Sequence, residues 1–234
     1  MLLTVLLQTV NDSGPIYKET VMGRFPVEPF NTASNLVFLA VIIYFSIKIW
    51  KSTHSHYFLK AIMPIFFLGY IGGTVYHATR SAEFWLLLDW VPIVLLCFAC
   101  SIYFVFKSAR SWRYRLLLIA IIVGLNIIPA TLPLPKGYGT SVGYIGSAVA
   151  VILPVVVYLY QTGWARAIYL GLAVGSFTIA VILRTLDKKY EMEWLWMGTH
   201  WLWHTFGAIA VFWLVRFIYE DIERQQHLRM TRIS

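Results

Sequence analysis

A chain of 234 residues that is 59% hydrophobic and 17% aromatic, with a mean hydropathy of +0.69, carries only 13% charged residues. Soluble domains carry roughly a quarter, so the composition excludes a water-soluble globular fold and points to a multi-pass integral membrane protein. The formal net charge of +8 follows the topology of the chain rather than marking a nucleic-acid face, and no nucleic-acid partner is expected.

Residues 1–10 are apolar but short, with no basic leading region and no small-residue cleavage site. They read as an interfacial helix or an ordered N-terminal lid rather than a signal peptide. Seven apolar runs follow, at about 34–50, 57–77, 84–106, 114–131, 139–160, 165–184 and 194–219. Each has roughly the 17 to 25 residues that a bilayer requires. The runs are continuously apolar, not alternating, which excludes a transmembrane β-barrel. The expected fold is an all-α, seven-transmembrane helix bundle forming one domain over 1–234. Twelve of the 19 Lys and Arg lie on one side, in the first, third and fifth loops and the tail, among them Lys48, Lys107, Arg113 and Arg224. The other side holds Lys18, Arg24, Arg80, Lys136, Arg184, Lys188 and Lys189. The positive-inside rule then places 1–30 outside the cytoplasm and 220–234 as a cytoplasmic tail.

Cys97 and Cys100 stand three apart in the third run, a poor disulfide geometry, and are read as apolar packing residues. His54, His56 and His227 fall in cytoplasmic segments and are read as solvated. Pro129, Pro133, Pro135 and Pro154 mark kinks or loops. Ionisable groups at membrane depth are functional hypotheses by default, and few are present. His77 closes the second run, and Asp89 lies a few residues into the third. His200 and His204 lie about 10 and 16 Å along the seventh at 1.5 Å per residue. His200 and His204, four apart, share one helix face. Alternation of the runs brings all four groups to one depth. Three imidazoles with an open fourth position suit a catalytic zinc, which polarises a carbonyl and lowers the pKa of water to about 7. No Glu follows His200, so the base comes from elsewhere. Asp89 is the candidate, as general base or as the group that orients an imidazole, and it is also a candidate ion-pair partner for Arg80. Trp85, Trp90, Trp194, Trp196, Trp201 and Trp203 lie near the same level and read mostly as an interfacial belt.

Gly73-Thr74-Val75-Tyr76-His77, then Asp89, then Gly198-Thr199-His200-Trp201-Leu202-Trp203-His204 resemble the CREST superfamily of seven-span membrane hydrolases. Glu28-Pro29-Phe30-Asn31-Thr32-Ala33-Ser34-Asn35-Leu36 is similar to a stretch of the alkaline ceramidases within it. The resemblance implies a zinc held by His77, His200 and His204, with Asp89 near the attacking water. It also implies cleavage of a membrane lipid amide to a fatty acid and a sphingoid base. Two positions depart from the pattern. The family has an oxyanion-stabilising serine four residues before the first zinc histidine, where this chain has Gly73. Thr74, Ser34, a water or the metal alone would then take over that role. The family also has an N-terminal acidic calcium site, to which only Glu28 corresponds, with Glu19 and Asp12 nearby. Glu28 is alternatively a cap of the first span.

Other readings of the scaffold are an esterase or phospholipase and a lipid receptor with little turnover. A bis-histidine haem needs ligands on facing helices, whereas His200 and His204 share a face. A retinal protein needs a Lys in the seventh span, and a carrier needs broken helices and more ionisable groups.

Overall fold

A computed structural model of the chain describes residues 10–134, 138–189 and 195–231. Its regular structure is helical throughout those residues. In order, α1 spans Pro29–Lys51, α2 Tyr57–Thr79, α3 Glu83–Ser108, α4 Trp112–Thr131, α5 Gly139–Gln161, α6 Ala167–Lys189 and α7 His200–Met230. All seven are long and apolar enough to cross a membrane. Helices are the expected solution, because each satisfies its own backbone donors and acceptors where no water is available. Residues 1–9, together with Pro135, Lys136, Trp194 and Arg232, lie outside the described residues.

Neighbours in sequence are neighbours in space for α1–α2, α2–α3, α4–α5 and α6–α7, while α1 also packs on α7 and α3 on α5. The core is built from Phe45, Ile49, Leu59, Phe104, Leu159 and Phe217. The unbridged Cys100 is buried in it and Cys97 packs against its edge. Pro64, Pro92, Pro129 and Pro154 all lie inside helices.

Helix starts deviate from the hydropathy limits where polar groups fix them. α1 begins at Pro29, a residue preorganised for the first helical position. The Glu19 side chain accepts from the Phe30 and Asn31 amides at 2.7 Å each, which satisfies two orphan donors of that end. α7 begins at His200, six residues later than the apolar run. Gly198 there has φ +71° and would bring a Cβ to 2.5 Å from Asp187 Oδ1. Asp187 Oδ1 accepts from the Thr199 amide at 2.5 Å. The two histidines therefore occupy the first two turns of α7, nearer its end than hydropathy implied.

The segment 10–28 folds across this end of the bundle and is fastened by Arg80. Arg80 caps α2 in the left-handed conformation, φ 49°, and is fully buried. Its guanidinium donates to Asp12 Oδ2 and Oδ1 at 2.9 and 2.6 Å, to Glu28 Oε1 at 2.6 Å and to the Pro15 carbonyl at 3.0 Å. The Arg80–Asp89 pair considered from sequence does not form, because Asp12 and Glu28 already saturate the fork. At the opposite end, His56 is buried rather than solvated. It stacks on Tyr219 at 4.5 Å and bonds Glu223 Oε1 at 2.7 Å. Burial holds its pKa below the usual histidine value despite Glu223.

Replacing Arg80 by Met keeps the side-chain length but leaves Asp12 and Glu28 buried without their cation. The expected loss is about 3–5 kcal/mol, measured as a fall in the thermal unfolding midpoint of detergent-solubilised protein. An unchanged midpoint would show that the segment 10–28 is held by other contacts.

Candidate metal centre

His77 lies in the last turn of α2, His200 opens α7, and His204 follows one turn later. Each offers a ring nitrogen, and the three nitrogens lie within 4.8 Å of one another. Exposure of the three residues is 0, 3 and 4%, so their polar atoms must find partners inside the protein. His77 Nδ1 bonds Glu28 Oε2 at 2.5 Å, which puts its proton on Nδ1. Its Nε2 is buried with no hydrogen-bond partner. His204 Nδ1 lies 3.2 Å from the Asn31 carbonyl and 2.9 Å from Ser34 Oγ. A carbonyl only accepts, and Ser34 Oγ already donates to Asn31 O at 2.8 Å, so His204 Nδ1 is the donor. Both rings are thereby fixed as Nδ1–H tautomers with a bare Nε2. A buried acceptor left unmade costs about 1–3 kcal/mol, and a cation shared with the other two imidazoles removes that cost. The donor set fits zinc, with three nitrogen ligands and one open position.

The residues behind the histidines are as ordered as the trio. Glu28 Oε1 accepts from Thr20 Oγ1 at 2.7 Å and from Arg80, while Oε2 accepts from His77 and from Asn31 Nδ2 at 3.2 Å. The Glu28 amide also donates to the His77 carbonyl at 3.0 Å. Burial alone would raise the Glu28 pKa, but His77, Thr20 and Arg80 hold it below the usual carboxylate range. Such carboxylate–histidine pairs orient a ligating ring and raise its basicity.

These bonds account for the acidic residues considered for calcium. Glu28 is occupied by His77 and Arg80, Asp12 by Arg80, and Glu19 by the first amides of α1. Among the described residues the three do not gather into a cation-holding group. Ser34, considered as an oxyanion donor, is likewise engaged below His204.

Asp89 does come to the trio's side of the bundle. A Cβ built on Gly73 would lie 2.5 Å from Asp89 Oδ1 and 3.4 Å from Asn35 Oδ1. The Asp89 carboxylate thus rests against α2 one turn before His77, in the space a side chain at 73 would take. Thr74 Oγ1 is buried without a hydrogen-bond partner. Other helical threonines of the chain bond the carbonyl four residues back, as Thr79, Thr178, Thr185 and Thr205 do.

Tyr17, which no sequence signal marked, covers the trio. Its ring stacks on His200 at 3.9 Å between centroids and 21° between planes, and lies 5.6 Å from the His77 ring. Burial pushes its phenol well above the ordinary value and keeps it neutral. The Trp group divides: Trp90 and Trp196 are exposed, as a belt requires, while Trp203 is buried at 8% exposure among Tyr144 and Phe177. No protein-family model matches the chain, and comparison with curated proteins finds no match.

Protein purified without chelator is expected to carry about one zinc per chain by elemental analysis, lost in His200→Ala/His204→Ala. Glu28→Gln keeps the shape of the side chain but weakens its hold on His77. It should lower zinc affinity roughly 10–100-fold in a chelator competition. Equal affinity in the two proteins would remove Glu28 from the site.

Proposed function

We propose that the chain is a zinc-dependent membrane hydrolase of the CREST type, akin to the alkaline ceramidases, which cleaves the amide bond of a long-chain, ceramide-like lipid. The observation that carries this reading is the set of three buried imidazoles, with His77 Nε2 orphaned, on the same side of the bundle as an Asp89 carboxylate seated against α2 one turn before His77. A zinc at the trio supplies Lewis-acid polarisation of the carbonyl and a water of pKa about 7.

The chain's own residues supply the rest. Glu28 and the Ser34–Asn31 pair hold two imidazoles in the tautomer that ligates. Asp89 accepts a proton from the attacking water and returns it to the amide nitrogen as the C–N bond breaks, giving a fatty acid and a free amine. Thr74 Oγ1, with a hydroxyl hydrogen to give and no partner, donates to the developing oxyanion in place of the family serine. Tyr17 and the segment that carries it exclude bulk water above the trio. The substrate reaches the site sideways, from the lipid between the helices. The distribution of Lys and Arg supports an extracytoplasmic N-terminus, and with it a site in the outer half of the bilayer. A second reading, the same chemistry on another lipid such as an ester, is favoured by one observation. Asp89 fills the volume where the family's serine side chain would stand.

Asp89→Asn is expected to lower hydrolysis of an N-acyl sphingosine by about 10²–10⁴-fold with zinc content unchanged. Thr74→Val, nearly isosteric, should lower kcat by about 10²–10³-fold if its hydroxyl meets the oxyanion. Full activity in Asp89→Asn would assign the proton transfer to another group. Full activity in Thr74→Val would leave the oxyanion to zinc.

A further inference from the structure

Two arginines are buried at the end of the bundle that carries the trio, and they are treated differently by their surroundings. Arg80 is saturated by carboxylates and carbonyls. Arg184, near the end of α6 and 7% exposed, forms no ion pair with any described carboxylate, and its Nε is buried without a hydrogen-bond partner. What it has instead is aromatic. Its guanidinium carbon sits 5.2 Å from the Tyr144 ring centroid and 5.1 Å from that of Trp203. Trp203 immediately precedes His204, and the Arg184 charge acts electrostatically on His204, Asp89 and Tyr17. The cation therefore lies against two flat rings, one of them next in sequence to His204, with no described carboxylate paired to it.

Aromatic faces orient a guanidinium and leave its N–H edge available. That edge matches two oxygens of a carboxylate or phosphate. A charge held at membrane depth with no described carboxylate paired to it points to an anion that arrives with a ligand. We propose that Arg184 binds an oxyanion on the amine half of the lipid held at the trio, so that the site prefers anionic lipid amides over neutral ones. This assignment rests on the hydrolase reading for the bond that is cleaved, but not for the binding itself. Trp203 and Tyr144 fix the direction of the guanidinium and pack against the lipid portion between the amide and the anion.

The test uses three probes with one acyl chain and zinc-loaded protein in detergent. They are N-oleoylglycine, N-oleoyl phosphoethanolamine and neutral N-oleoylethanolamine. Binding is followed by displacement of a fluorescent lipid, and turnover by release of oleate. Wild type should bind at least one anionic probe about tenfold or more tightly than the neutral one, as a charge-assisted bond implies. The carboxylate and phosphate arms identify which oxyanion it takes. Arg184→Gln should bring that ratio to about one with zinc content and neutral-probe binding unchanged, while Arg184→Lys retains part of the preference. A wild type without preference, or an Arg184→Gln variant that keeps it, overturns the proposal. So does an equal loss of turnover on all three probes, which would mean that Arg184 serves the reaction and not the head group. If no probe is hydrolysed but the preference in binding depends on Arg184, the hydrolase reading fails and the anion site stands.

Discussion

The bond between Glu28 and His77 links every part of the site end of the bundle. His77 belongs to α2 and Glu28 to the start of α1, so the bond joins two helices at the level of the trio. Arg80 then joins Glu28 to Asp12, and through it to the segment that lies over the site. A buried carboxylate unaided is expensive by several kcal/mol. Glu28 is stable only because four side chains donate to it. Removing any one donor loads the others, so the tautomer of His77, the start of α1 and the position of Tyr17 form one coupled arrangement. Orientation of the ligands is in this sense a property of the fold's terminal contacts, not of the helices that carry the histidines.

The opposite end shows the same chemistry used for packing alone. Asp221 accepts from Tyr158 Oη at 2.8 and 2.9 Å and pairs with Lys107, while Glu223 receives Ser52 and His56. Asp221 and Glu223 are thus paired within the chain, and no cluster of three metal-binding side chains forms at that end among the described residues. Buried ionisable groups are thus not in themselves the mark of the functional end. Buried atoms without a hydrogen-bond partner occur at both ends, His77 Nε2, Thr74 Oγ1 and Arg184 Nε at one and His56 Nδ1, Arg216 Nε and Arg224 Nε at the other, so what distinguishes the trio's end among the described residues is the convergence of three imidazole nitrogens. Three imidazole nitrogens gathered within 4.8 Å of one another, His77 Nε2 among them buried and unpaired, have a physical reason in a ligand.

The helices were legible in the sequence because a bilayer demands length and continuous apolarity, and both are visible one residue at a time. Their ends were less so. α7 starts at His200 because Gly198 takes φ +71° and Asp187, on a different helix, caps Thr199. A hydropathy window sees neither. The three histidines were legible through the four-residue spacing and the alternation of spans, and so was Asp89. Their supports were not. Glu28 beside Pro29 reads equally as a helix cap or as a metal ligand. Only tertiary contact with His77 and Arg80, 49 and 52 residues away, separates the two. Tyr17 and Asp12 lie in an irregular segment with no period to read, so nothing local announces that they face the bundle.

Gly73 and Asp89 share one space at the trio's end of the bundle. With no side chain at 73, the Asp89 carboxylate closes against the α2 backbone, and Asn35 comes within 3.4 Å of the same volume. A Cβ at 73 would require the Asp89 carboxylate, the far end of its side chain, to turn away. With no Cβ at 73, the carboxylate occupies that space. The carboxylate thereby sits against α2 one turn before His77. Thr74, one residue on and rotated by about 100°, is the adjacent hydroxyl that the fold has left without a partner.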